Sequence, residues 1–258
     1  MFVDSHCHLE LEDFDIDRDE IVFQAKNEGL KYILTVGTEK RYFDKVLEII
    51  YKYDFIFGAI GVHPHSSVHW KELSLNEMEE LVSHKKIVAY GEIGLDFYKN
   101  YSPPSVQKEA FFSQLEFAKA QGKPVIVHTR SSASETIDII DAAFKGGKGG
   151  VIHCFSYGKE EAKRFLDRGF YISIPGIVTY RKNGSLVDVV RYVPLNRLLV
   201  ETDAPFLTPS PKKGKRNLPY YVKYTLEKVA QIKRISVLDM SQVVLNNFRN
   251  LFLKEIET

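Results

Sequence analysis

The run Asp4-Ser5-His6-Cys7-His8 is strand-like. Side chains along a strand alternate between faces, so His6 and His8 point the same way and can hold one ion, while Cys7 points the other way. Alone, such a pair could merely cap a strand. Here six of the eight histidines, His6, His8, His63, His65, His128 and His153, fall with Glu92 and Asp203 where short β-rich runs end. His69 and His84 lie in helical or loop stretches and read as solvated surface residues. Four histidines with carboxylates from different strands match the ligand set of a dinuclear hydrolase. His6 and His8 are expected to bind the first ion and His128 and His153 the second, with Glu92 as the bridge. Asp203 is expected to ligate the first ion and to accept a proton from the attacking water, so Asp203 and Glu92 are the candidate catalytic carboxylates. Two ions roughly 3.5–4 Å apart acidify a bridging water and neutralise charge building on a substrate. That suits attack on phosphorus as well as on a carboxyl or amide carbon. The donors are mixed, so two divalent ions are expected with magnesium, manganese and zinc all open.

The elements that must position these groups alternate along the whole chain. Strands are expected near Phe2–Asp4, Tyr32–Val36, Ile56–Gly61, Ile87–Glu92, Pro124–His128, Val151–Cys154, Phe170–Ile174 and Arg197–Glu201. Amphipathic stretches lie between them. In Val106–Ala120, for example, Ala110, Phe111, Gln114, Leu115 and Ala118 recur at helical spacing, and Gly122 with Pro124 ends the run. Eight β-then-α units imply an α/β chain folded as a single (β/α)8 barrel over residues 1–258, with the metal site at the C-terminal ends of the strands. A doubly wound open sheet would leave two edges and gather its ligands at one crevice rather than around a ring. Leu245–Phe252 reads as a terminal packing helix.

Composition is consistent with this. Hydrophobic residues make up 44% and charged residues 27% of the 258, with a formal net charge of +1. No global field therefore drives the chain onto nucleic acid or membrane, and any polyanion site must be local. Cys7 and Cys154 are too few for a secreted disulfide framework. Each follows a candidate ligand histidine, and parity is expected to turn both thiols away from the metal. With no apolar leader and no run of transmembrane length, a cytoplasmic location is expected.

The stretches DSHCHLE, GVHPH, GEIGLDF, PVIVHTR, HCFS, SIPGIVTYRKN, LLVETDAPFLTP and GKRNLP, spread over residues 4–219, resemble the TatD-type metal-dependent deoxyribonucleases of the amidohydrolase superfamily. The resemblance implies a (β/α)8 barrel, two divalent ions and hydrolysis of DNA phosphodiesters from 3′ ends, with a preference for single strands. The family's metal residues correspond to His6, His8, Glu92, His128, His153 and Asp203. Two departures fall in loops and bear on substrate fit: Tyr157 precedes Gly158 where the family reads HCFSG, and Leu218 replaces the acid of RNEP.

A phosphodiester substrate requires local positive charge. Arg130 should share the face of His128, and His63 the face of His65. His63 and Arg130 are expected to contact the scissile phosphate, although Arg130 could instead pair with Glu201 or Asp96. Lys213, Lys215 and Arg216 belong to a basic run beside Asp203 that could track a DNA backbone, and Phe97, Tyr98 and Tyr101 could stack an unpaired terminal base. The expected partner is DNA, single-stranded or with free 3′ ends, with RNA possible and no membrane or obligate protein partner. Two other readings stand beside this one. The first is an ester or amide hydrolase, such as an aminoacyl-tRNA deacylase or a lactonase. Many such relatives bridge their metals with a carboxylated lysine, which none of the assigned strand ends presents. The second is a non-catalytic scaffold around a structural metal.

Overall fold

The strands are short apolar runs buried on both faces, the pattern of a parallel sheet covered by helices. In the computed structural model, which describes residues 1–254, they are β1 Phe2–Cys7, β2 Leu30–Gly37, β3 Ile56–Ile60, β4 Ile87–Asp96, β5 Val125–Arg130, β6 Gly150–Ile152, β7 Tyr171–Ile174 and β8 Leu198–Val200. They form one parallel sheet in sequence order. A parallel bridge between Cys7 and Ala204 brings the segment after β8 against β1. Asp4 fastens this seam, accepting from Thr202 N at 2.9 Å and Thr202 Oγ1 at 2.5 Å. Asp203 N donates to His6 O at 2.9 Å, and His8 N to Ala204 O at 2.8 Å. With helices between the strands, the architecture is the (β/α)8 barrel expected from the sequence. The last expected residues, 255–258, lie outside the described ones.

The helix that frames the site is α1, Pro104–Ala120, and the described chain ends in α2, Val237–Phe248, continuing as a π-helical turn over Arg249–Leu253. The terminal packing helix expected over Leu245–Phe252 forms the end of these segments, with Leu245, Phe248 and Phe252 buried. The buried stripe of α1 includes Gln107 and Gln114. Gln114 brackets Val62, with Oε1 accepting from Val62 N at 2.8 Å and Nε2 donating to Val62 O at 3.0 Å. Gln107 does the same for Asp96 at 2.8 and 3.1 Å. These amides satisfy backbone groups of Val62 and Asp96 at and beyond the strand ends and fix the positions of His63 and Asp96.

Two expectations based on strand parity fail because the strands end early. β3 stops at Ile60, and His65 lies in a 3₁₀ helix, Pro64–Glu72, begun by a proline at its first position, so His63 and His65 are not strand neighbours, although both still line the pocket with ring centres 4.3 Å apart. β6 stops at Ile152, and Cys154 has φ +47°, so its thiol is not turned away and Cys154 lines the same pocket as His153. Cys7 behaves as expected: it is fully buried in the core. His69 is exposed and pairs with Glu72, but His84 is half-buried against the ring of Tyr51. Among the described residues, no helix is long and apolar enough to cross a membrane.

Candidate metal centre

Glu92 sits at the centre of the barrel mouth, only 3% exposed. Its carboxylate meets His128 Nδ1 at 2.8 Å, His153 Nε2 at 3.1 Å, and His6 Nε2 and His63 Nε2 each at 3.3 Å. Beside it, His6 Nε2 and His8 Nε2 are 3.2 Å apart, and Asp203 Oδ1 lies 3.3 Å from His8 Nε2. The strand-end residues expected to converge do converge, around a pocket of about 500 Å³. The local chain explains how. Both β4 glycines allow its backbone to press against β5: a Cβ on Gly94 would stand 1.9 Å from His128 O, and one on Gly91 would stand 2.6 Å from Ile126 O. Asp203 adopts φ +58°, a conformation that aspartate tolerates better than most residues.

A second ring of carboxylates orients the imidazoles. His8 Nδ1 is 3.0 Å from Glu10 Oε1, and Glu10 is itself held by Thr35 Oγ1 at 2.7 Å. His128 Nε2 and His65 Nε2 both face Asp96 Oδ2, at 3.2 and 2.9 Å. His153 Nδ1 lies 3.2 Å from Glu201 Oε1, which accepts from Cys154 N at 2.7 Å. Sequence reasoning missed Glu10 altogether and considered Asp96 and Glu201 only as partners for Arg130.

The electrostatics follow from this geometry. Burial alone would push the Glu92 carboxyl up, but the facing His153 and His63 and the hydrogen bonds from His128 and His153 hold it well below its usual range. Asp203 is likewise raised by burial and brought below its usual range by His8 and the neighbouring imidazoles. Burial lowers His63 to about 4, which keeps its ring neutral, with Nδ1 accepting from His65 N at 3.1 Å and Nε2 facing Glu92. Burial also disfavours charge on His153, yet Glu92 and Glu201 raise it well above the ordinary value. Carboxylates that stabilise a proton on these rings equally stabilise a divalent cation among them.

Three donor sets have atoms within 4.8 Å of one another: His6, His8 and Asp203; His63, Glu92 and His128; and His6, His153 and Glu201. The 1%-exposed His6 also has a buried Nδ1 with no hydrogen-bond partner among the described residues. Converging nitrogen and oxygen lone pairs with few protons to share fit a divalent metal. The second set places His63 with Glu92 and His128, where the sequence had suggested a phosphate contact.

The outer residues divide. His65 and Arg130 line the pocket, and Arg130 stays on the face of His128 because β5 continues to its position. Arg130 pairs with neither Glu201 nor Asp96, and its guanidinium lies 4.0 Å over the ring of Tyr98. Lys213 and Lys215 are exposed beyond the pocket. Arg216 is bound to Asp17 at 2.5 Å, donates to Asp13 O and stacks over Phe14, which ties the loop to the first βα connection. Tyr157 joins the loop after β5 through Thr129 Oγ1 and Ser132 N, each at 3.1 Å, and Leu218 packs against the core.

Comparison with known proteins gives a consistent picture. A family model described as TatD related DNase matches residues 3–253. An uncharacterized metal-dependent hydrolase of Bacillus subtilis, YabD, is 38% identical over 252 residues, covering 98% of this chain and 99% of its own. A protein of Cronobacter turicensis named 3'-5' ssDNA/RNA exonuclease TatD is 35% identical over 246 residues, covering 93% of this chain and 94% of its own. The crystal structure of YJJV, a TatD homolog from Escherichia coli, superposes with a TM-score of 0.91 at 29% identity, covering 98% of each chain.

Proposed function

This chain belongs to the TatD-related DNase family of metal-dependent hydrolases, and on that premise we propose that it is a nuclease removing nucleotides from the 3′ ends of single-stranded DNA, with RNA a further substrate. The observation that carries the reading is Glu92, buried among four imidazoles with Asp203 alongside, in a pocket of about 500 Å³. Two divalent ions would be held there, one by His6, His8 and Asp203 and one by His128 and His153 with His63 in reach, Glu92 being shared between them. Divalent metal, when bound, supplies Lewis acidity that acidifies water and neutralises charge on phosphoryl oxygens.

The chain's own groups do the rest. Asp203, ionised at neutral pH, takes the proton of the attacking water at its free carboxylate oxygen. Glu10, Asp96 and Glu201 fix the ring orientations, so little reorganisation is needed as charge develops. Arg130 and His65, at the pocket wall, bind phosphate oxygens, and His63 serves either that role or ligation. Lys213 and Lys215 add diffuse attraction for the polyanion. Among the described residues no lysine lines the pocket, which disfavours the carboxylated-lysine chemistry of lactone and cyclic-amide hydrolases.

The test is degradation of an end-labelled single-stranded oligonucleotide by metal-stripped protein, with Mg²⁺, Mn²⁺ or Zn²⁺ restored. Stepwise metal-dependent loss from the 3′ end is expected, with Asp203→Asn at least about a hundredfold slower. A folded, metal-loaded protein that leaves every oligonucleotide intact would sink the nuclease reading in favour of an ester or amide hydrolase.

A further inference from the structure

The two sides of the pocket mouth differ in chemistry. On the β4–β5 side cations and aromatic faces interleave. Arg130 lies 4.0 Å over Tyr98, Lys99 Nζ is 5.9 Å from the ring centres of both Tyr98 and Tyr101, and Tyr101 meets His65 edge-on at 4.7 Å. Tyr98 and Tyr101 are 61% and 68% exposed, so their rings are open to solvent beside their cations. On the β8 side the pocket wall is apolar, with Phe206 and Leu207 next to Ile177 and Leu11.

Phe206 is 51% exposed, and its ring stands 6.1 Å from that of His8. Its position is fixed relative to the carboxylate centre. Phe206 N donates to Asp203 O at 2.8 Å, and the buried Asn217 Nδ2 donates to both Phe206 O at 2.6 Å and Thr202 O at 2.8 Å. One turn thus presents the carboxylate and the aromatic platform together. In a ring of strands ordered β1 to β8, β4 and β8 lie opposite each other. A chain crossing the mouth from one to the other therefore passes over Glu92 and Asp203.

We propose that the mouth seats a single strand in one polarity: Phe206 stacks the base of the nucleotide being released, and the Tyr98–Arg130–Tyr101 ledge holds the strand that remains. The inference rests on the nuclease reading and deepens it. The chemistry of the two ends assigns the sides. A departing terminal nucleotide brings one base and no further phosphodiester, so the apolar wall at Phe206 suits it, with Lys213 and Lys215 lying outside the pocket on that side. The retained strand brings a series of phosphates and bases, which calls for positive charge alternating with stacking faces. Stacking is tolerant of sequence because every base has a π-face, so the arrangement lets the end be trimmed whatever its base.

The test compares kcat/KM for a dinucleoside monophosphate and a single-stranded dodecanucleotide in metal-loaded enzyme. The dodecanucleotide is expected to be the better substrate. Joint Tyr98→Ala and Tyr101→Ala substitution should remove about tenfold more activity on the dodecanucleotide than on the dinucleotide, chiefly through KM. Phe206→Ala should lower both by a similar factor of about ten, with Phe206→Trp restoring it. These side chains are exposed, and an unchanged melting temperature of each variant checks that folding is intact. Equal losses on both substrates in the double tyrosine variant, or a Phe206→Ala loss confined to the dodecanucleotide, would overturn the polarity while leaving the nuclease reading standing. Wild-type enzyme that cleaves neither substrate with any metal would overturn both.

Discussion

Glu92 can remain ionised at 3% exposure only because four imidazoles surround it, and those imidazoles are aimed by carboxylates behind them. Glu201 is the clearest of these: one oxygen accepts from Cys154 N and faces His153 Nδ1. Replacing it with glutamine keeps an acceptor for Cys154 but removes the charge that supports His153. Glu201→Gln is therefore expected to weaken metal binding about 10–100-fold, read by competition against a chelator, while the protein stays folded. Unchanged affinity would mean that Glu201 serves only the Cys154 amide. The inner donors were legible in the sequence because parity and strand ends are local properties. Glu10 was not, because its role depends on Thr35 reaching across from β2. The alternative reading of Arg130 as a partner for Glu201 or Asp96 fails because nothing local in the sequence told of the Tyr98 face.

Strand β4 is where local sequence and tertiary packing meet most tightly. Its last residues, Glu92 to Asp96, include a glycine and end in an acid, so a sequence reading stops the strand at Glu92, yet all of them are buried and Ile93 to Asp96 pair with β5. Glycine is what permits this. Gly94 has φ +144°, a conformation side chains rarely adopt, and an added Cβ would fall 1.9 Å from His128 O, a backbone atom that cannot step aside. Gly94→Ala must then push β4 away from β5 at the point where Glu92, Asp96 and His128 meet. A loss of about 3 kcal/mol or more is expected in urea unfolding, together with weakened metal binding. Loss of activity at full stability would show that the backbone contact bears no load. By contrast, the helical turn at His65 carried a readable signal, Pro64 at its first position, which strand parity overrode.

The alternation of strands and helices was enough to read the barrel, but its closure depends on pairs distant in sequence. Asp4 and Thr202 are 198 residues apart, and the seam they fasten is the one that places Asp203 beside His6 and His8. The proposed ligands come from β1, β4 and β5 and from the residues just after β1, β6 and β8, so cation binding joins strands on opposite sides of the ring. Unfolding any part of the barrel must disperse the donor sets, and metal should accordingly stabilise the molecule as a whole. Binding to the folded state alone at a hundredfold excess over Kd contributes about 2.7 kcal/mol for one ion, a rise of several degrees in Tm for a chain of this size. Calorimetry of chelator-treated protein with and without Mn²⁺ would read it. Glu92→Gln, compared with its own metal-free baseline, should lose most of the rise because the carboxylate proposed to be shared is gone. A Tm indifferent to metal in the native chain would exclude a site built from both sides of the ring. An equal rise in Glu92→Gln would place the bound cation elsewhere.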